Sequence, residues 1–140
     1  MEPTFNNSPK IALVDDDPWI RRAVSDNLEA HGLNCRGFDS AEAFLKSPDL
    51  AETDCLILDV NFPSMDGLEL QRVLAEQKHT FPIIFFTGEI DPEIEAHARK
   101  AGAVDYLEKA GSTSRLIEAI GRAIGARAVN PGSGSGSEAP

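Results

Sequence analysis

The chain has 140 residues, 41% of them hydrophobic, and a formal net charge of -10. That length suffices for one domain with a core but not for two ordinary ones, and such acidity disfavours direct contact with nucleic acid. No apolar run approaches the roughly 20 residues that span a bilayer, and no signal-peptide pattern opens the chain, so we expect a cytoplasmic protein without membrane contact. Cys35 and Cys55 lie within or beside apolar segments, without zinc-ligand spacing, and are predicted to be reduced core thiols.

Short apolar runs recur along the chain and are typical of strands buried on both faces of a parallel sheet. The clear runs are residues 11–14, 55–58 and 83–86, and the weaker candidates are residues 34–38 and 104–107. Their shortness favours strands over helices, because core helices are usually longer than ten residues.

Amphipathic segments with start signals follow each of these strands and predict helices. The candidate capping residues are Asp17, Asp39 or Ser40, Asp66, Asp91, and Ser112 or Thr113. Gly32 and Gly102 suit the ends of the first and fourth helices, because glycine adopts a left-handed backbone at little cost. Apolar positions 68, 70, 73 and 74 form the predicted core stripe of the third helix. Trp19 is predicted to pack on the first helix rather than to bind a ligand.

The strand and helix signals alternate strictly, which predicts a doubly wound α/β fold with a parallel sheet and helices on both faces. Ligands in such folds bind beyond the carboxyl ends of the strands, near the point where the strand order reverses. Residues 10–126 are predicted to form the domain, after a flexible lead-in over residues 1–9. Residues 127–140 have the composition of a flexible Gly/Ser linker or of a segment added by cloning.

Polar side chains stand at the ends of four predicted strands: Asp15 and Asp16, then Asp59, Thr87 and Lys109. Because parallel strands end on one edge of their sheet, we expect these groups to share a cleft. Carboxylates this close repel one another unless a cation joins them, and their oxygens suit Mg²⁺. A carboxylate beside Mg²⁺ can attack phosphorus, while an ammonium and a hydroxyl bind the phosphoryl oxygens. The residue types therefore suit phosphoryl transfer to Asp59.

This order of residues, with Tyr106 ahead of Lys109, resembles the receiver domains of two-component response regulators. Local sequence supports the resemblance, with LILDVNFPSMDGLEL around Asp59, FFTGE around Thr87 and AGAVDYLEK ending at Lys109. The match covers about residues 10 to 126. It implies a flavodoxin-like (βα)5 three-layer sandwich whose five-stranded parallel sheet has the order 2-1-3-4-5.

The resemblance further implies a phosphoacceptor that is not an enzyme beyond its own autophosphorylation and autodephosphorylation. Asp59 would take the phosphoryl group from a sensor histidine kinase, and Lys109 would contact the acyl phosphate. Mg²⁺, for which Mn²⁺ can substitute, would be bound by Asp59 and Asp16, by Asp15 mainly through water, and by the backbone carbonyl of Asn61.

A switch is also implied, in which Thr87 moves toward the phosphate and Tyr106 turns inward behind it. The switch would act on the face formed by the fourth helix, fifth strand and fifth helix. That face would bind an output domain or a second receiver. In the family, a DNA-binding output domain commonly follows the receiver domain, and we expect one here. The output domain would then regulate transcription, while this domain itself would not contact nucleic acid.

One position departs from the family pattern. Ala110 follows Lys109 where the family usually has a proline joined by a cis bond. A cis bond before a residue other than proline costs about 3 kcal/mol. We therefore expect the loop after Lys109 to run differently.

Three other functions remain open from the residues. A receiver-like interaction module that is not phosphorylated would fit the departure at Ala110. A haloacid dehalogenase-type phosphatase would use Asp15 as nucleophile in the spacing Asp15-x-Asp17, although Trp19 departs from that motif and the chain lacks room for a cap domain. A flavin-binding flavodoxin-like protein would need amides and hydroxyls where the loop after the first strand is acidic.

Overall fold

The computed structural model describes residues 8–60, 65–88, 90–110 and 113–128, the side chains of 126–128 excepted. Within them, strands and helices alternate along the chain. Their bounds are β1 Lys10–Val14, α1 Pro18–Ala30, β2 Asn34–Phe38, α2 Ala41–Leu45, β3 Cys55–Leu58, α3 Gly67–Glu76, β4 Ile83–Thr87, α4 Pro92–Lys100, β5 Asp105–Glu108 and α5 Thr113–Ala128. A single 3-10 turn, Leu50–Glu52, precedes β3. No helix of the described residues is both long and apolar enough to cross a bilayer.

All five strands form one parallel sheet in the order β2-β1-β3-β4-β5. This confirms the predicted doubly wound α/β fold and the strand order 2-1-3-4-5. β2 pairs with one side of β1, and β3 pairs with its other side, where β4 and β5 follow in order. The order therefore reverses beside β1, and the carboxyl ends of β1 and β3 flank the crevice where such folds bind ligands.

Helices cover both faces of the sheet, as a three-layer sandwich requires. Successive residues of a strand point to opposite faces, so β1 contributes to two separate cores. The core on the side of α1 and α5 contains Ile11, Leu13, Val24, Leu28, Ile57, Leu116, Ile117 and Ile120. The core on the side of α2, α3 and α4 contains Ala12, Val14, Phe44, Leu56, Leu70, Leu74, Phe85 and Ala98. Both cysteines are buried thiols outside any disulfide, as predicted.

The helices begin at capping residues that the sequence indicates. The Asp17 side chain accepts from the Trp19 amide, and Ser40, rather than Asp39, accepts from the Ala43 amide. Asp66 forms a reciprocal capping box with Glu69, and the Asp91 carboxylate accepts from the Glu93 and Ile94 amides. These bonds satisfy amides that have no partner within the helix, which explains why the local signals were sufficient.

Two predictions about side-chain burial are wrong. Trp19 is 82% exposed, because the buried face of α1 follows Val24 and Leu28 and position 19 lies off that stripe. On α3, Gln71 is 3% exposed and lies in the core stripe, whereas Val73 is only half-buried. Helical periodicity cannot by itself say how wide the buried face is, since the neighbouring helix decides that.

Candidate functional site

Main-chain hydrogen bonds extend the sheet beyond its strands and fix the predicted site residues at its carboxyl edge. The Asp59 amide donates to the Val14 carbonyl at 3.1 Å, and the Lys109 amide donates to the Thr87 carbonyl at 2.7 Å. Asp15 directly follows Val14 on the neighbouring strand. The ends of β1, β3, β4 and β5 therefore present their polar side chains at one edge, as the sequence predicts.

Three carboxylates converge at this edge. Asp15, Asp16 and Asp59 each offer an oxygen, and these oxygens all lie within 4.8 Å of one another. Asp15 and Asp59 are buried, and Asp16 is exposed. The Asp17 amide donates to Asp15 Oδ1 at 2.9 Å, and the Val60 amide donates to Asp59 Oδ1 at 2.6 Å. One oxygen of each buried carboxylate is thus held by the backbone.

Lys109 lies between the two buried carboxylates. Its Nζ is 2.6 Å from Asp15 Oδ2 and 2.8 Å from Asp59 Oδ2. All peptide bonds of the described residues are trans, including the one between Lys109 and Ala110. The bond to the Thr87 carbonyl fixes the Lys109 backbone through the sheet, so the amine reaches the carboxylates without a proline at position 110. Residues 111 and 112, where we expect a different loop, lie outside the described residues.

Burial and the neighbouring charges have opposite effects on the pKa values of Asp15 and Lys109. Burial raises the pKa of the Asp15 carboxyl above its ordinary value, although the Lys109 ammonium acts to lower it. For Lys109, burial is the largest single influence and lowers the pKa, but Asp15 and Asp59 together raise it. The ammonium is therefore held charged, and the Asp15 carboxylate needs compensating positive charge to remain ionised in this setting.

The donor set fits a hard cation. Asp15 Oδ2 is buried, and its ion-pair partner is the Lys109 ammonium at 2.6 Å. One ammonium faces three carboxyl groups here, and a metal ion among them would add positive charge. Oxygen ligands with an exposed member, Asp16, suit Mg²⁺ because this ion retains water. Asn61, the predicted carbonyl ligand, lies outside the described residues.

Arg21 and Gly67, which were not identified from the sequence, hold the backbone of the site. Arg21 Nη1 donates to the Asp15 carbonyl at 2.7 Å. Its side chain crosses Gly37 on β2, where an added Cβ would lie 3.2 Å from Arg21 Cδ. A glycine inside a strand is the only local signal for this approach, because such glycines often mark a close contact.

Gly67 packs closely against the main chain that follows β3, where Asp59 lies. Its amide donates to the Val60 carbonyl at 2.8 Å, and an added Cβ would lie 2.3 Å from the Asp59 main-chain oxygen. From the sequence, only Asp66 is identified at this helix start, as a capping residue. A glycine in a first helical turn, where no cap requires one, was the available signal.

Thr87 and Tyr106 are both buried behind the site, at 2% and 4% exposure. The Tyr106 ring lies 5.7 Å from the Phe85 ring, between centroids. Burial raises the pKa of the Tyr106 phenol, and the carboxylates of Asp91 and Glu95 add to that effect. The phenol therefore faces the start of α4, and the ring is already inward in this structure.

Comparison with known proteins shows the family. Residues 11–121 match the family model described as the response regulator receiver domain. The chain belongs to the response regulator receiver family. This receiver domain is 41% identical to the response regulator protein TmoT of Ectopseudomonas mendocina over 114 residues, which cover 81% of this chain and 52% of that protein. It is 37% identical to the transcriptional regulatory protein FixJ of Bradyrhizobium diazoefficiens over 114 residues, covering 81% and 56%.

Solved receiver structures agree with the fold. The crystal structure of FixJ-N has a TM-score of 0.77 at 35% identity and covers 86% of this chain and 96% of that one. The BeF3-activated DrrB receiver domain has a TM-score of 0.74 at 32% identity, covering 83% and 97%. This chain spans about half the length of the curated relatives it matches.

Membership of the receiver family rules out the two alternatives of a haloacid dehalogenase-type phosphatase and a flavin-binding protein. The relatives are signalling proteins of two-component systems, several of them named as transcriptional regulators. Phosphorylation of an aspartate and Mg²⁺ binding at an acidic cluster are typical of the family, and Asp15, Asp16 and Asp59 form such a cluster here.

Proposed function

We propose that this receiver domain accepts a phosphoryl group on Asp59 from a sensor histidine kinase, in a reaction that depends on Mg²⁺. The convergence of Asp15, Asp16, Asp59 and Lys109 at the reversal point of the sheet carries this proposal. Asp59 is the better acceptor of the two buried aspartates. Its side chain keeps 9% exposure, while that of Asp15 keeps 1%, so a phosphodonor has access to Asp59.

The proposed roles follow from charge. The carboxylates of Asp15, Asp16 and Asp59, with the backbone carbonyl of Asn61, would hold Mg²⁺ or Mn²⁺. A bound ion offsets the charge of the phosphoryl oxygens. Lys109, already within 2.8 Å of Asp59, would bind one phosphoryl oxygen through its ammonium. Asp59 Oδ2 would form the new bond to phosphorus as the bond from phosphorus to the kinase histidine nitrogen breaks, because the Val60 amide holds Oδ1.

Output would pass through Thr87 and Tyr106. The Thr87 hydroxyl would donate to the phosphoryl group, and Tyr106, already inward here, would be stabilised in that position. The face formed by α4, β5 and α5 would then bind an output domain or a second receiver. We propose residues 10–126, predicted from the sequence, as the receiver domain of a cytoplasmic transcriptional regulator; α5 extends the domain to Ala128, and a linker or an added tail would follow.

Intact-mass measurement after incubation with acetyl phosphate tests the acceptor. We expect the mass of one phosphoryl group to be gained with Mg²⁺, and no gain with a chelator or in Asp59→Asn. Asp26→Asn, an exposed aspartate of α1, is the matched control and should gain the group normally. No gain in the wild-type protein, with acetyl phosphate or with a histidine kinase, would favour the interaction module that is not phosphorylated.

Removing the Arg21 guanidinium should weaken Mg²⁺ binding. Arg21→Met loses the hydrogen bond to the Asp15 carbonyl, so that the carboxylate is less firmly placed. A hydrogen bond from a charged donor contributes about 1.5 kcal/mol, so the affinity should fall by about tenfold at most. Fluorescence of Trp19, the sole tryptophan, allows the affinity to be titrated.

Arg22→Met is the control for this measurement. Arg22 is the next residue on α1, its side chain is 82% exposed, and it pairs only with Asp26 in solvent. Its replacement should leave the Mg²⁺ affinity unchanged. Equal affinities for Arg21→Met and the wild-type protein would show that the Asp15 backbone needs no such support.

A further inference from the structure

Gln71 is a buried polar side chain on the inner face of α3. It is 3% exposed, and its neighbours in the core, Leu70 and Leu74, are apolar. A buried amide is tolerated only where it is hydrogen-bonded. Gln71 Nε2 donates to the Ala98 carbonyl of α4 at 2.9 Å, across 27 positions of sequence. This bond joins α3 directly to the main chain of α4.

Ala98 lies in the last turn of α4, where the helix is closed by a Schellman arrangement. The Ala103 amide donates to the Ala98 carbonyl and the Gly102 amide donates to the Arg99 carbonyl, both at 3.0 Å. Gly102 adopts a φ of 112°, the left-handed conformation that this arrangement requires. The Ala98 carbonyl thus accepts two hydrogen bonds, one from the Ala103 amide just beyond α4 and one from Gln71 of α3. Ala98 is fully buried.

The amino end of α4 is held by its own cap and by the Tyr106 phenol of β5, which is hydrogen-bonded to the Asp91 backbone. The Asp91 carboxylate caps the helix by accepting from the Glu93 and Ile94 amides. Asp91, Pro92 and Glu93 are exposed, and Ile90 is 43% exposed. Among the described residues, the hydrogen bond that α4 receives from another helix is therefore at its carboxyl end.

This amino end of α4 is also the end nearest the proposed switch. It follows Thr87 by a few residues, and the Asp91 backbone and carboxylate are among the groups that influence the Tyr106 phenol. A rearrangement of Thr87 and Tyr106 would therefore reach the start of α4 first. How far this rearrangement would move the rest of α4 depends on the contacts that hold the carboxyl end of the helix.

We infer that Gln71 is a positioning residue that makes the carboxyl end of α4 a fixed pivot, so that phosphorylation moves the amino end of α4 and leaves residues 98–103 in place. The inference rests on the proposed phosphorylation of Asp59. An apolar side chain of similar size would fill the same space but could not donate to the Ala98 carbonyl. The hydrogen bond, and not the volume of Gln71, is what defines the pivot.

Amide chemical shifts with and without beryllofluoride, a mimic of the aspartyl phosphate, test the pivot in the wild-type protein. We expect large changes over residues 90–95 and small changes over residues 98–103. In Gln71→Met, which keeps the volume and removes the donor, the changes should extend through residues 98–103. Gln77→Met, at the exposed end of α3, is the control and should resemble the wild-type protein.

Hydrogen exchange without beryllofluoride tests the anchor independently of phosphorylation. The Gly102 and Ala103 amides should exchange about 5-fold faster in Gln71→Met, as expected for the loss of one hydrogen bond, relative to amides of α5 in the same sample. Failure of beryllofluoride to bind the wild-type protein would count against the proposed function, and the exchange result would still decide the anchor. Unchanged exchange at Gly102 and Ala103, or large wild-type shift changes over residues 98–103, would overturn the pivot.

Discussion

Replacing Gly67 by alanine is expected to lower the free energy of unfolding by about 3 kcal/mol, the upper part of the range for overpacking. The added Cβ would lie 2.3 Å from the Asp59 main-chain oxygen and 3.0 Å from the Val60 Cα. Both are backbone atoms, so no side-chain rotation can relieve the contact. Either α3 must move away from β3 or the segment carrying Asp59 must shift.

The same substitution should slow phosphorylation at Asp59, because the acceptor would leave its place beside Lys109. Denaturant unfolding measures the stability, and intact mass over time measures the phosphorylation rate. Gly125→Ala in α5 is the matched control, since nothing lies within 4 Å of an added Cβ there. Alanine in a helix interior is better than glycine by about 1 kcal/mol, so this control should be slightly more stable. A Gly67→Ala protein as stable as the wild type would mean that the backbone yields at no cost.

Replacing Lys109 by methionine is expected to make the stability of the protein depend on Mg²⁺. Without the ammonium, Asp15 and Asp59 would be two buried carboxylates that have lost the cation lying within 2.8 Å of both. Breaking a buried ion pair from one side costs about 3 kcal/mol at the lower end of its range. The lower end applies because Lys109 keeps 16% side-chain exposure, and water can take part of its place.

Unfolding free energies with a chelator and with saturating Mg²⁺ measure this dependence. Mg²⁺ should recover most of the loss, since an ion among the three carboxylates would restore the missing positive charge. The gain from Mg²⁺ should therefore be larger for Lys109→Met than for the wild-type protein. Lys46→Met, at an exposed residue, should show the wild-type gain. A loss that is the same with and without Mg²⁺ would indicate that Lys109 acts by packing rather than by charge.

Much of the fold could be predicted because its signals are local. Capping residues such as Asp17 and Asp91, each followed by a proline, start a helix through bonds to amides only two or three residues away. Short apolar runs identify strands that are covered on both faces, whatever covers them. Alternation of the two then leaves few topologies, and the observed strand order is the one that the family resemblance implies.

The site could be located for a related reason. Once the sheet is parallel, Asp15, Asp59 and Lys109 must meet at its carboxyl edge, although 50 positions separate Asp59 from Lys109. The sequence therefore indicated which side chains converge. It could not give the distances from the Lys109 amine to the carboxylates, 2.6 Å to Asp15 Oδ2 and 2.8 Å to Asp59 Oδ2, because these depend on how β5 packs beside β4.

The sequence by itself determined the elements, their order and the polar residues at the strand ends, because helix caps, periodicity and parallel-strand direction depend on near neighbours. Only the tertiary structure decided that Gln71 bonds to Ala98, that Gly67 lies against the Asp59 backbone and that Arg21 crosses Gly37. It also decided that Trp19 is exposed. These contacts join residues from different elements, and how closely two elements approach depends on the packing of the whole core rather than on any local pattern.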